Sequence, residues 1–279
     1  MHNSKITSQK AFTLVELSIV LVIIGLLLGL INVGINLMNQ AKVRAARAIT
    51  SNSPVWEIFN SNLEMSAVLW YDVLDTKLLK RDSDNFVTSI RSKIGDPDRT
   101  TMTISNEPIY QKDGMADFPT ISFDDDTGTS DSLSRSFTLN DNFSVAIVFL
   151  PTVAQAADAT FLEVNTLDLR ANSDETISFD NGIGEAGTYS YKVNDMNLVI
   201  VTSDASSGPT NVAMNYYVNQ EGPAGNSGDP STQFAGVRFG DITNNFEGKI
   251  SEIIIFDKPL SSREIDTVTE YFYEKYKLD

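Results

Sequence analysis

The chain has 279 residues, 42% of them hydrophobic, with 37 acidic against 21 basic side chains and a formal net charge of −16. That length and apolar content suit a packed domain of good size, and the acidic balance argues against a nucleic-acid binder, which needs clustered Lys and Arg to release counterions from phosphates. Cysteine is absent and His2 is the single histidine, so Ser–His–Asp and Cys–His nucleophiles, and the usual zinc and copper ligand sets, are missing once the first residues are set aside; catalysis by carboxylates, lysine or a Ser–Lys pair stays open.

Residues 1–11 are polar, with Lys5 and Lys10 as their charged side chains. Phe12-Thr13-Leu14-Val15-Glu16 then leads into an apolar run over 17–31, and a bilayer takes ~20 apolar residues to cross. An ordinary secretory signal is cut after its apolar core, whereas here the polar leader meets the core abruptly at Lys10-Ala11-Phe12. Glu16 is the odd residue: a carboxylate inside a membrane stretch is costly, so it is either functional or close enough to the helix end to reach the interface. Beyond the apolar run, Leu37, Ala41, Ala45 and Ala48 repeat at helical spacing, with Lys42, Arg44 and Arg47 on other faces. The helix is expected to continue to the breaker Ser51-Asn52-Ser53-Pro54, with a short helix over 55–63 after it.

Lys10-Ala11-Phe12-Thr13-Leu14-Val15-Glu16-Leu17 resembles the processing site of type IV pilins and type II secretion pseudopilins. The resemblance implies cleavage between Ala11 and Phe12 by a prepilin peptidase and N-methylation of the new Phe12 amine. It also implies that Glu16 pairs with the N-terminus of a neighbouring subunit during assembly, since an amine and a carboxylate inside a helix bundle relieve each other's burial cost. Two positions depart from the usual pattern: Ala11 stands where the family has glycine, and Val33-Gly34 where many pilins carry a proline, so no proline kink is expected. The flanking charges (Lys5 and Lys10 before the span; Lys42, Arg44 and Arg47 after it) do not settle orientation by the positive-inside rule; the processing motif implies a cytoplasmic leader and an external head.

From about residue 68 to residue 257 the text changes to short β-rich runs separated by turn residues. Strands are expected at 100–104, 120–123, 135–139, 143–150, 160–164, 176–179, 188–193, 198–202, 212–218, 235–239 and 249–256, which reads as an all-β sandwich or barrel. The chain should close with a helix: Ser261-Ser262-Arg263-Glu264 has capping-box spacing, and Ile265, Val268, Phe272 and Tyr276 fall on one face. Leu69-Trp70-Tyr71-Asp72, then 119–124, then Phe246-Glu247-Gly248-Lys249-Ile250-Ser251-Glu252 and the closing helix are together similar to a laminin-G-like, concanavalin A-like jelly roll. That resemblance implies a fold that hosts lectins, enzymes and inert spacers alike.

Three chemistries can be weighed on the head. Glycoside hydrolysis needs two carboxylates about the scissile bond; no Glu-x-Asp-x-x-Glu strand pattern exists, and Glu252 stands alone in an apolar run, so the chain is read as a non-enzyme. Calcium needs several oxygens; the loop 124–131 offers Asp124, Asp126 and Asp131, against the plainer reading of a solvated turn. Sugar binding needs an aromatic platform with hydrogen-bonding neighbours; Tyr189, Tyr191, Tyr216 and Tyr217 are candidates that also suit core packing, and the 222–231 loop is a plausible rim.

The expected fold is therefore α+β: a leader at 1–11, a membrane and assembly helix at 12–53, a connector at 54–67 and a sandwich head with its C-terminal helix at 68–279. The expected function is a minor pilin or pseudopilin whose partners are the prepilin peptidase, other pilin subunits and the inner membrane, with a glycan or host surface as a further ligand and no nucleic acid. The expected location is the inner membrane as precursor, then a periplasmic or extracellular filament of a Gram-negative-like bacterium. The alternatives are a membrane-anchored glycan-binding adhesin outside any filament and, last, a membrane-anchored hydrolase.

Overall fold

The computed structural model describes residues 14–60, 69–95, 100–123, 130–155, 157–165, 167–180, 186–206, 212–228, 234–242 and 246–278. The chain divides into two compact units, Met1–Lys42 and Val43–Asp279.

Helix α1, Leu14–Asn52, begins in the first unit and ends in the second. From Leu14 to Met38 its large apolar side chains are exposed. They occupy every face, and a helix apolar all round needs lipid or other helices about it. By length and composition it is able to cross a membrane. In the second unit its last turns are tied down: the Arg47 guanidinium donates to the Leu74 carbonyl at 2.6 and 2.9 Å, and the Thr50 and Tyr271 hydroxyls lie 3.1 Å apart. The helix stops at the expected breaker. Trp56 Nε1 donates to the Thr50 carbonyl at 2.8 Å, satisfying one of the carbonyls a helix end leaves open, and α2 follows over Val55–Asn60.

The strands of the head are, in chain order, β1 (Leu69–Asp72), β2 (Leu79–Arg81), β3 (Val87–Ile90), β4 (Thr103–Ser105), β5 (Ile109–Met115), β6 (Phe118–Phe123), β7 (Ser132–Ser136), β8 (Phe143–Pro151) and β9 (Ala159–Asn165). There follow β10 (Leu167–Ala171), β11 (Thr176–Asp180), β12 (Ala186–Ser190), β13 (Asn197–Asp204), β14 (Val212–Val218), β15 (Glu221–Gly228), β16 (Phe234–Gly240) and β17 (Gly248–Phe256). An eight-stranded antiparallel sheet runs β15-β14-β13-β8-β17-β6-β5, with β1 also on β17; a seven-stranded sheet runs β12-β11-β10-β9-β16-β7-β4; β2 and β3 form a small hairpin. The chain closes with α3, Ser262–Tyr276. The expected α+β plan, with an N-terminal helix, an all-β sandwich and a C-terminal helix, is the observed one.

Alternation along the strands explains the layers. Phe143, Val145, Ile147 and Phe149 of β8 join the core between the sheets, while Ala146, Val148 and Leu150 join a second core beneath the helices. Strand β17 splits likewise, Ile253 and Ile255 against Ile254 and Phe256. These central strands are buried on both faces and so read as nearly continuous apolar runs. Phe161 stacks between Phe149 at 4.5 Å and Phe246 at 5.1 Å in the inter-sheet core. Helix α3 buries Ile265, Val268, Phe272 and Tyr276, the predicted face, together with Tyr271 and Lys275. At its start the Glu264 carboxylate accepts from the Ser261 amide at 2.9 Å and from the Ser261 hydroxyl at 2.7 Å.

Several strands escape the sequence pattern. Strands β1, β2, β3, β5, β10 and β15 are absent from the expected set, and the expected rim loop at 222–231 is largely strand, since Glu221–Gly228 pairs with β14. Strands β5 and β15 are the two ends of the large sheet. Edge strands are held by main-chain bonds on one side and need no apolar alternation, so Ile-Tyr-Gln-Lys-Asp-Gly-Met and Glu-Gly-Pro-Ala-Gly-Asn-Ser-Gly give no signal.

Candidate functional site

The cleavage pair Ala11–Phe12 lies outside the described residues. Glu16 sits in the first turn of α1 among exposed apolar neighbours, at the end where a carboxylate is favoured by the helix dipole. Gly25 and Gly29 lie one turn apart on the same helix, with nothing near the position a Cβ would take. This small-xxx-small spacing, legible from residue order alone, lets helix backbones approach closely in lipid.

Of the calcium candidates, Asp124 and Asp126 lie outside the described residues. Asp131 is buried; its carboxylate accepts from the Glu107 amide at 3.2 Å and its carbonyl from the Asp241 amide at 2.8 Å. Among the described residues no group of three or more His, Cys, Asp or Glu side chains is arranged to hold a metal.

The tyrosine candidates divide by strand parity. Tyr216 points into the inter-sheet core, edge-on to Phe179 at 4.7 Å and to Tyr189 at 5.2 Å. Tyr191 is buried and its hydroxyl donates to the Asn172 carbonyl at 3.2 Å. Tyr217, the next residue on β14, takes the opposite face and packs against the helix-side core. It lines a cleft of about 560 Å³ between α3 and the strands β13–β15, whose apolar lining is Leu198 and Ile200 from β13 and Ile265 from α3. The cleft exists because one helix, ~10–12 Å across, cannot cover a sheet whose strands repeat at ~4.8 Å, so β14 and β15 extend beyond α3. Gly222 sets the near wall: it has φ +139°, and a Cβ there would meet the Tyr217 ring at 2.8 Å. Burial, then the Asp266 carboxylate and Tyr189, push the Tyr217 phenol up; burial does the same to Tyr273, opposed by a hydrogen bond from Gln220.

A second constellation lies beneath α3. Lys275 Nζ contacts Glu252 Oε2 at 2.6 Å and Asp72 Oδ2 at 3.0 Å, all three wholly buried. Glu252 also accepts from Trp70 Nε1 at 2.5 Å, the Tyr271 hydroxyl at 2.6 Å and the Tyr276 hydroxyl at 2.8 Å. Lys93 reaches Asp72 at 3.3 Å. Burial pushes Glu252 above the ordinary carboxylate range against the pull of Lys275; burial also raises Asp72, but Lys275 and Lys93 outweigh it and hold Asp72 below that range. Closed off by rings and fully partnered, the cluster joins helix to sheet. Glu252 lies in mid-strand, with both carboxylate oxygens engaged by side chains of β1 and α3.

The third constellation crosses the seven-stranded sheet. Register sets Asp180, Asp168, Glu163, Arg238, Ser134 and Thr103 side by side on six strands. Their apolar neighbours in sequence, Leu162, Val164, Leu167, Leu169, Val237 and Phe239, are in the inter-sheet core, so this row faces away from it. Arg238 holds Glu163 at 2.6 Å and Arg170 reaches Asp180 at 3.1 Å and Asp168 at 3.6 Å. Asp168 Oδ1 has no hydrogen-bond partner, and burial followed by repulsion from Glu163 moves this carboxyl up to about 6. The row was invisible in sequence because its members lie on separate strands.

Against known proteins, residues 6–32 match the model for the prokaryotic N-terminal methylation motif. No curated protein sequence matches the chain. Among solved structures, Trypanosoma rangeli sialidase in complex with sialic acid matches at TM-score 0.51 and 10% identity, over 74% of this chain and 33% of that one. The same sialidase with the inhibitor DANA matches at 0.51 and 12%, over 84% and 38%. A receptor-binding domain matches at 0.49 and 13%, over 78% and 53%. The chain spans about a third of the length of the sialidase, and at such identity the likeness is one of fold. The N-terminal segment thus carries a prepilin-type methylation motif, on a chain whose head is an antiparallel β-sandwich of a kind that solved structures contain.

Proposed function

We propose that the chain is a subunit of a type IV pilus or type II secretion-type filament of a Gram-negative-like bacterium. The precursor rests in the inner membrane; the prepilin peptidase cuts between Ala11 and Phe12 and the new amine is methylated. Subunits then pack through α1, with Glu16 neutralising the amine of a neighbour. The observation that carries this reading is the methylation-motif match over 6–32 continuing into a helix whose apolar side chains are exposed on every face: the motif supplies the processing and the helix supplies the surface that assembly buries. A head of this bulk favours a minor or tip position over a repeating shaft subunit. The head is read as a displayed recognition domain and not an enzyme, since Asp72 and Glu252 are sealed by ion pairs and Glu163 is held by Arg238.

Mass spectrometry of the N-terminus, on sheared surface filaments and on membranes, tests the proposal. A mature chain starting at methylated Phe12 in the sheared fraction is the expected result. A chain starting at Met1, in cells with an active prepilin peptidase, overturns it. Maturation with retention in the membrane fraction favours the anchored adhesin instead. Even immunogold labelling along whole shafts would remove the minor-subunit assignment.

A further inference from the structure

The cleft beside α3 has a composition that apolar packing does not explain. Leu198, Ile200 and Ile265 give it apolar lining, and Tyr217 and Tyr273 line it together with Asn219, Gln220, Asp266, Thr269 and Glu270. Among the described lining residues there are two phenol rings, two carboxamides, two carboxylates and no basic side chain. Asp266 and Glu270 are exposed and one helical turn apart, on the face of α3 that overlooks the cleft. The parts are rigidly placed. Asn219 is fixed by accepting from the Leu198 amide and donating to Asn197 Oδ1, both at 2.9 Å. Gln220 is bonded to the Tyr273 hydroxyl, and Tyr217 lies against Gly222, where any Cβ would strike it.

We infer that this cleft is a saccharide-binding site, selective for neutral or amino sugars over acidic ones. An aromatic face covers the C–H surface of a pyranose, and carboxylates accept pairs of hydroxyls that water would otherwise hold. The volume of about 560 Å³ falls in the ordinary range for small-ligand sites. Selectivity comes from charge: Asp266 and Glu270 repel a uronate or another carboxylated sugar, whereas an ammonium is attracted both by them and by the faces of the tyrosines. This site lies on the helix side of the large sheet, apart from the carboxylate–arginine row of the seven-stranded sheet. The inference rests on the head being a displayed recognition domain, but not on its assembly into a filament.

The test uses the full chain in a sugar-free zwitterionic detergent, because alkyl-glycoside detergents would occupy the site. Immobilised neutral hexose oligosaccharides, glucosamine oligomers and galacturonate oligomers serve as probes. The expected result is retention on neutral or glucosamine oligomers, weakened at least tenfold by Tyr217→Ala and by Tyr273→Ala, and largely kept in Tyr217→Phe. Asp266→Asn with Glu270→Gln should lower glucosamine binding and raise galacturonate binding. Near-ultraviolet circular dichroism checks that each variant is folded, with Gly222→Ala as a second, backbone-level perturbation of the Tyr217 wall. Retention of galacturonate alone, binding indifferent to all of these substitutions, or no retention of any probe at millimolar concentration overturns the inference. None of these outcomes alters the N-terminal maturation result, so failure of the site and failure of the filament reading are read separately.

Discussion

Lys275 and Glu252 are 2.6 Å apart with no solvent at either side chain, on the closing helix and the central strand of the large sheet respectively. An ion pair so placed stabilises little relative to a well-packed apolar pair, because desolvation offsets most of the attraction, but removal of one partner is costly. Lys275→Met is therefore expected to lower stability by about 3–5 kcal/mol, measured by urea unfolding in detergent.

The two carboxylates of that cluster should respond oppositely to pH. Asp72 is held low, so its contribution is present above its unfolded value and is lost as pH falls through its folded value; Glu252 is held high, so its contribution fades as pH rises through its folded value. Asp72→Asn should thus destabilise at neutral pH, with the deficit shrinking in acid. Glu252→Gln should cost less at neutral pH than in acid. Unfolding midpoints across pH 3 to 8 check both, and parallel curves for the two variants would refute the assignment.

Asp168 offers a separable pH signal. Its carboxyl is moved up to about 6, so the folded state holds a proton that the unfolded chain has already lost, and stability from this group declines as pH rises from the ordinary carboxylate range through about 6. Asp168→Asn removes the buried charge and should stabilise the head by about 1–2 kcal/mol at pH 7.5, with no gain at pH 4. Calorimetric melts at the two pH values read the difference.

Phe161 of β9 stacks between Phe149 of β8 on the other sheet and Phe246. Phe161→Ala should cost about 3–5 kcal/mol through lost burial and a residual cavity, measured by chemical unfolding, while the anchoring of α1 in membranes stays unchanged.

Glu16→Ala should leave insertion intact, since removing a carboxylate from an apolar helix eases transfer to lipid. It should nonetheless abolish recovery of the chain in sheared filaments. Glu16→Gln, which keeps the shape and loses the charge, should behave like Glu16→Ala if neutralisation of a neighbour's amine is the role.

The sequence by itself determined what depends on residues adjacent in the chain. The motif over 6–32, the apolar run of α1, its end before Pro54, the central strands β8 and β17 and the capped face of α3 all read from local order, because helical and strand periodicity place neighbours in sequence on known faces. Edge strands β5 and β15 did not read, because their order comes from main-chain pairing to a neighbour and leaves no apolar pattern. Tertiary structure alone decided which tyrosine faces which side, since Tyr216 and Tyr217 are equivalent in composition and differ only in strand parity within a sheet covered on one face by α3. It alone brought Asp168 opposite Glu163 and Asp180, and Lys275 between Asp72 and Glu252. Such clusters depend on register and on long-range closure between strands and helix, and charge interactions acting through space leave no mark on the linear order of the chain.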